Sequence, residues 1–126
     1  MKIRTIDHVT LIAQNLDAEK QYYEKMFGFS CVEKPGRGGR SLQFEGDNVH
    51  FFMVEVPKID PEYVRKQHIS FEVESLVPVQ EELDALKVKY KLGHYTGFKS
   101  QKYLWCEWRD PEGIRVECVE HTNTLT

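Results

Sequence analysis

Apolar and polar residues alternate along several short stretches of the chain, and two longer stretches repeat at helical spacing. The first alternation, from Ile6 to Ala13, predicts a strand. Val9, Leu11 and Ala13 fall on one face, and His8, Thr10 and Ile12 on the other. Asn15 or Asp17 is placed to cap the helix that follows. Leu16, Lys20, Tyr23 and Phe27 recur at helical spacing, as do Tyr22 and Met26, and Gly28 stops the helix. Phe29 to Glu33 reads as a second strand. Pro35-Gly36-Arg37-Gly38-Gly39-Arg40 reads as a glycine-rich loop. Ser41 to Phe44 and Val49 to Val56 are two more strands, joined by a turn at Glu45-Gly46-Asp47-Asn48. The first half is therefore β-α-β-β-β.

After a polar connector from Pro57 to Arg65, the order repeats. Gln67 to Val73 predicts a strand with Ile69, Phe71 and Val73 on one face and His68, Ser70 and Glu72 on the other. Pro78 to Tyr90 predicts a helix with Val79, Leu83, Leu86 and Tyr90 on one stripe. A short strand around His94 and Tyr95 comes next, then a strand from Tyr103 to Trp108. The turn Asp110-Pro111-Glu112-Gly113 leads into a last strand, in which Ile114, Val116 and Cys118 point one way and Arg115, Glu117 and Val119 the other. Residues after His121 read as a frayed tail. One unit is thus used twice, as a module of about residues 1–56 and another of about 67–121, within a single domain covering 1–126.

Length and composition narrow the function. A chain of 126 residues, 40% apolar and 29% charged, suits one globular domain with a real core. The 17 basic and 20 acidic residues give a net charge of −3, which offers no footprint for nucleic acid. No apolar run approaches a membrane span. The N-terminus enters its predicted strand without a signal-peptide core. Cys31, Cys106 and Cys118 are odd in number and lack a Cys-x-x-Cys spacing, so they read as reduced thiols of a cytoplasmic protein.

Three polar residues stand in apolar strands. Glu117 lies between Val116 and Cys118, and a carboxylate there must be solvated, paired or bound to a metal. His8 and His68, 60 residues apart, open the two halves. In each half a glycine turn leads into the last strand, with His50 four residues after Gly46 and Glu117 four residues after Gly113. The repeat therefore maps His8 onto His68 and His50 onto Glu117. Either histidine alone is more simply a sheet histidine than a ligand.

Together these residues resemble the vicinal oxygen chelate superfamily of glyoxalase I, methylmalonyl-CoA epimerase, fosfomycin-resistance thiol transferases, extradiol dioxygenases and bleomycin-binding proteins. The matching pieces are Ile6-Asp7-His8-Val9, Tyr22-Tyr23 through Phe27-Gly28-Phe29, His68-Ile69-Ser70-Phe71-Glu72-Val73, and Asp110-Pro111-Glu112-Gly113 through Val116-Glu117. The resemblance implies an α+β fold in which paired β-α-β-β-β modules form a curved mixed sheet around a cavity. It implies metal ligands from four strand positions, of which His8, His68 and Glu117 fill three. His50 fills the fourth by turn spacing, whereas a one-residue slip brings in Phe51 instead. It also implies a homodimer.

Imidazoles with a carboxylate suit a divalent Mn, Fe, Co, Ni or Zn ion. The chemistry implied is a lyase or isomerase step on a small oxygen-chelating substrate through a metal-stabilised enolate, with Glu117 as ligand and proton carrier. Thiol transfer and ring-cleaving dioxygenation use the same kind of site. A metal-free protein that sequesters a small molecule, as bleomycin-resistance proteins do, is the alternative from another class. Thr10 and Ser70 accompany the histidines in the expected pocket. Tyr103 and Trp105 alternate with Glu107 on a strand face suited to wall it and stack on a flat substrate. Arg37 and Arg40 are candidates for holding an anionic tail.

Overall fold

The structure, a computed structural model, describes residues 1–36, 39–97 and 101–122. Arg37 and the chain beyond Thr122 lie outside the described residues. Two compact units make up the fold: Met1–Gln67 with Pro111–Gly113, and His68–Asp110 with Ile114–Thr126.

The first unit runs β1 (Thr10–Ala13), α1 (Leu16–Phe27), β2 (Ser30–Gly36), β3 (Gly39–Gly46), β4 (Val49–Glu55) and a short α2 (Pro61–Arg65). Its sheet has the order β1-β4-β3-β2, with β1 parallel to β4 and the other pairs antiparallel. The expected caps hold α1. Asn15 Oδ1 accepts from the Asp17 amide at 2.9 Å, and Gly28 ends the helix at φ 70°. Leu16, Glu19 and Tyr23 are its buried residues. Tyr23 packs on Phe44 and Phe51 at ring distances of 5.3 and 5.7 Å, and those two rings stack at 4.8 Å. Leu42, Met53 and Ala13 complete a core with no exposure.

The second unit runs β5 (His68–Glu72), α3 (Val77–Ala85), β6 (Lys91–Thr96), β7 (Lys102–Arg109) and β8 (Arg115–His121). Its sheet has the same design, in the order β5-β8-β7-β6 with β5 parallel to β8. Cys106, Trp108, Val116 and Cys118 are buried on the alternate positions expected, as is Leu83 of α3. The architecture is therefore α+β, two four-stranded mixed sheets with helices. The turn between β7 and β8 uses Asp110 twice: its Oδ1 accepts from the Ile114 amide at 2.9 Å, and its own amide donates to the Ile114 carbonyl at 3.0 Å. Gly113 takes φ 93° there, a conformation that favours glycine.

Four expectations about the elements are corrected. The glycine-rich loop is mostly ladder: Pro35 pairs with Arg40 and Gly36 with Gly39. Proline is tolerated because β2 is an edge strand. The first strand begins at Thr10, not Ile6, although the Val9 carbonyl still accepts from the Phe52 amide. The connector after Pro57 holds α2, capped by Asp60. Helix α3 starts one residue early, at Val77, and stops at Ala85, short of Tyr90. Lys87 turns left-handed at φ 58°, and the Val88 amide closes back on the Leu83 carbonyl at 2.9 Å. This closure is the usual helix-ending motif with a lysine where glycine is common.

Two substitutions test these placements. Phe51→Ala should cost about 3–5 kcal/mol of stability in urea unfolding, against less than about 1 kcal/mol for its neighbour His50→Ala. Equal losses would contradict the register. Lys87→Gly should stabilise the fold by up to about 1 kcal/mol in urea unfolding, because glycine adopts this backbone conformation without strain.

Candidate functional site

Strand alternation decides which residues can share a surface. In the first unit Phe51 points to α1, so His50 and Phe52 point to the other face. The parallel register sets Thr10 beside Phe52, and continuing it by two residues brings His8 abreast of His50. The two imidazole centroids lie 5.4 Å apart, and Phe52 packs edge-on against both, at 4.9 and 5.1 Å. Asp7 joins them. One ligand atom from each of Asp7, His8 and His50 lies within 4.8 Å of the others. The Asp7 carboxylate sits 2.7 Å from His8 Nδ1. This hydrogen bond, then the charges of the two imidazoles, hold the Asp7 carboxyl below its usual pKa. Asp7 therefore stays ionised and can only accept, so the proton of neutral His8 resides on Nδ1 and the Nε2 lone pair is left free.

The second unit builds a different pair. His68 lies beside Arg115, and Ser70 beside Glu117. Glu117 is 9% exposed, and its Oε1 accepts from Ser70 Oγ at 2.8 Å. His68 Nε2 stands 3.4 Å from that same oxygen. Arg115 donates to His68 Nδ1 at 2.7 Å and places its Nε 3.3 Å from Glu107. Tyr103, Trp105 and Glu107 share the face of Glu117, because Glu107 and Glu117 are register partners. Tyr103 stacks on Tyr95 at 4.9 Å, and the Trp105 indole covers Gly93 so closely that a Cβ there would clash with it. Burial, and next the Glu117 carboxylate, raise the Tyr103 phenol above its ordinary pKa.

The chain thus carries its four expected donors two to a unit, His8 with His50 and His68 with Glu117. Thr10 is exposed on β1, and Glu72 is exposed on β5. Arg40 lies on β3, not on a loop. Its guanidinium is engaged by Glu33, by Asp17 at 2.8 Å and by Glu55 at 3.3 Å, so its charge is already matched. Sequence reasoning missed Asp7 and Arg115. The equivalence of His50 with Glu117 does not hold by register. The residue abreast of His68 is Arg115, and the first-unit counterpart of Glu117 is Phe52. The cause lies in the hairpins. Gly46 pairs with Val49 across two residues, whereas Arg109 pairs with Arg115 across five, so counting from the glycine does not carry over.

The model of the Glyoxalase/Bleomycin resistance protein/Dioxygenase superfamily matches residues 5–118. The chain belongs to this superfamily. Its members act on small molecules and typically use divalent metals. A relative from Arabidopsis thaliana named Glyoxylase I 4 is 24% identical over 130 residues, covering 93% of this chain and 71% of that protein. Among solved structures, Lactoylglutathione lyase from Agrobacterium tumefaciens matches with a TM-score of 0.66 at 20% identity, covering 94% of this chain and 95% of the other. TnmS3, an antibiotic binding protein from Streptomyces sp. CB03234, matches with a TM-score of 0.73 at 15% identity, covering 97% and 99%. The superfamily fold therefore accommodates both a lyase and a binder. Among the described residues no helix is long and apolar enough to cross a membrane.

Replacing Glu117 by glutamine removes the negative charge near Tyr103 and should lower the phenol's titration midpoint. The midpoint should stay above that of free tyrosine, because burial is the larger cause. Ultraviolet titration of tyrosinate reads this, with Tyr103→Phe identifying the transition; an unmoved midpoint would exclude the electrostatic contact.

Proposed function

We propose that this member of the superfamily is a small divalent-metal-dependent enzyme catalysing a lyase- or isomerase-type step on a small oxygen-chelating substrate. The observation that carries this reading is the pairing of His8 with His50, with an ionised Asp7 holding the proton of His8 on Nδ1. A carboxylate behind an imidazole is the usual support for a ligating histidine, because it fixes the tautomer and raises basicity. The donors proposed for the metal are His8, His50, His68 and Glu117, a set of nitrogen and oxygen ligands suited to Zn, Ni, Co, Mn or Fe. The ion, when bound, supplies a Lewis acid for substrate oxygen.

Glu117 is the proposed proton carrier. Ser70 fixes its Oε1, and low exposure shields it from water, so the carboxylate is oriented for transfer to and from a substrate carbon. Tyr103 and Trp105 would give a flat substrate an aromatic wall on the same sheet face. The proposed setting is a cytoplasmic homodimer.

Metal content by mass spectrometry, on protein purified without tag or chelator, tests the reading. Wild type should carry near-stoichiometric metal and lose it to chelator. His8→Ala and His68→Ala should each lose most of it, and His50→Ala should weaken retention. A wild type that stays metal-free after adding back each of the five ions would transfer the reading to sequestration of a small molecule, the activity that the name of TnmS3 describes.

A further inference from the structure

The two units differ in what faces Nδ1 of the histidine that opens each. His8 has the Asp7 carboxylate there at 2.7 Å, a group that accepts. His68 has the Arg115 guanidinium, whose Nη2 lies 2.7 Å from Nδ1 and can only donate. The ladder fixes this meeting. Strand β5 runs parallel to β8 with Arg115 as the register partner of His68. Arg115 is held from its other side as well. Its Nε stands 3.3 Å from a carboxylate oxygen of Glu107 on β7, so one side chain reaches from β8 to both neighbouring strands. The Glu107 side chain is 17% exposed, which shelters that end of the bridge from water. With Nδ1 accepting, the proton of the neutral His68 ring sits on Nε2, 3.4 Å from Glu117 Oε1. Ser70 Oγ donates to the same oxygen at 2.8 Å.

We propose that Arg115 is a positioning residue that keeps the proton of His68 on Nε2, toward Glu117, and so withholds the Nε2 lone pair from a divalent ion. A metal takes the unprotonated nitrogen of a neutral imidazole. An ion that enters through Nε2 therefore moves the ring proton to Nδ1, where it faces a donor, and the hydrogen bond from Arg115 has to break. Behind His8 the carboxylate does the reverse, because it accepts the Nδ1 proton and leaves Nε2 open. The hold of His68 on an ion is thus set by an arginine that ligates nothing. The role rests on the metal reading above only in naming an ion as the competitor; the hydrogen bond itself is read without one.

The test has two arms. In chelator, nitrogen NMR of the neutral histidine rings compares wild type with Arg115→Lys and Arg115→Met, and His68→Ala assigns the resonances. In wild type the bare nitrogen of His68 should be Nδ1, shielded by the hydrogen bond it accepts. Lysine can also only donate, so Arg115→Lys should keep that shielding and Arg115→Met should lose it. Arg115→Ala replaces Arg115→Met if the latter does not fold. Titration with cobalt(II) is the second arm. Arg115→Met should bind it about tenfold more tightly than wild type, the effect of removing a charge-assisted hydrogen bond that the ion has to break. Lys91→Gln removes a charge from the same sheet face without touching His68, and should change the affinity by about twofold or less. A proton on Nδ1 in wild type overturns the proposal, as does an Nδ1 resonance that Arg115→Met leaves in place. So does cobalt binding that Arg115→Met strengthens no more than Lys91→Gln does. Absence of cobalt binding in every variant refutes the metal reading instead, and the ring resonances then decide the role of Arg115 alone.

Discussion

The parallel ladder between β1 and β4 is the constraint on which the first unit depends. It leaves Phe51 one choice of face. Shifted by one residue, β4 would drive His50 into the rings of Tyr23 and Phe44 and turn Phe51 out to solvent. The slip would lose the burial of an aromatic side chain and leave an imidazole in an apolar core, each unfavourable by several kcal/mol or a large part of that. The core therefore selects the register, and the register places the polar face. His8 and His50 meet because Leu11, Met53 and Phe51 must pack against α1. In the second unit Cys118 and Val116 make the same selection, and Glu117 is left on the opposite face with Ser70 and His68.

That dependence explains how much could be read without coordinates. Period-two alternation marked the faces of His8, His68 and Glu117, and Asn15 and Gly28 marked the ends of α1, because these signals are local. What failed was anything that needed a partner strand. Gly36 and Gly39 read as loop, yet they extend a hairpin whose other residues supply the pairing. Lys87 ends α3 in a conformation for which lysine gives no signal. Asp7 precedes the ladder, so alternation does not govern it, and it turns to the side of its neighbour His8. Arg115 meets His68 only through a register set by a five-residue hairpin connection, which glycine counting misjudges. Arg40 read as an available cation because its carboxylates Asp17, Glu33 and Glu55 come from three separate elements.

The two histidines that open the units are alike in sequence position but stand in opposite chemical states of readiness. His8 meets a carboxylate, which accepts, so its proton stays on Nδ1 and Nε2 offers a lone pair. His68 meets a guanidinium, which can only donate. Its Nδ1 must then be the acceptor, and the proton of the neutral ring sits on Nε2, facing Glu117 at 3.4 Å. In that tautomer His68 is a donor to Glu117, not a ligand. Taking a cation through Nε2 requires the proton to move to Nδ1, where it would oppose Arg115. The guanidinium has another partner within reach, because its Nε already lies 3.3 Å from Glu107. Arg115 thus bridges His68 and Glu107 in one placement, and the tautomer of His68 is tied to that bridge.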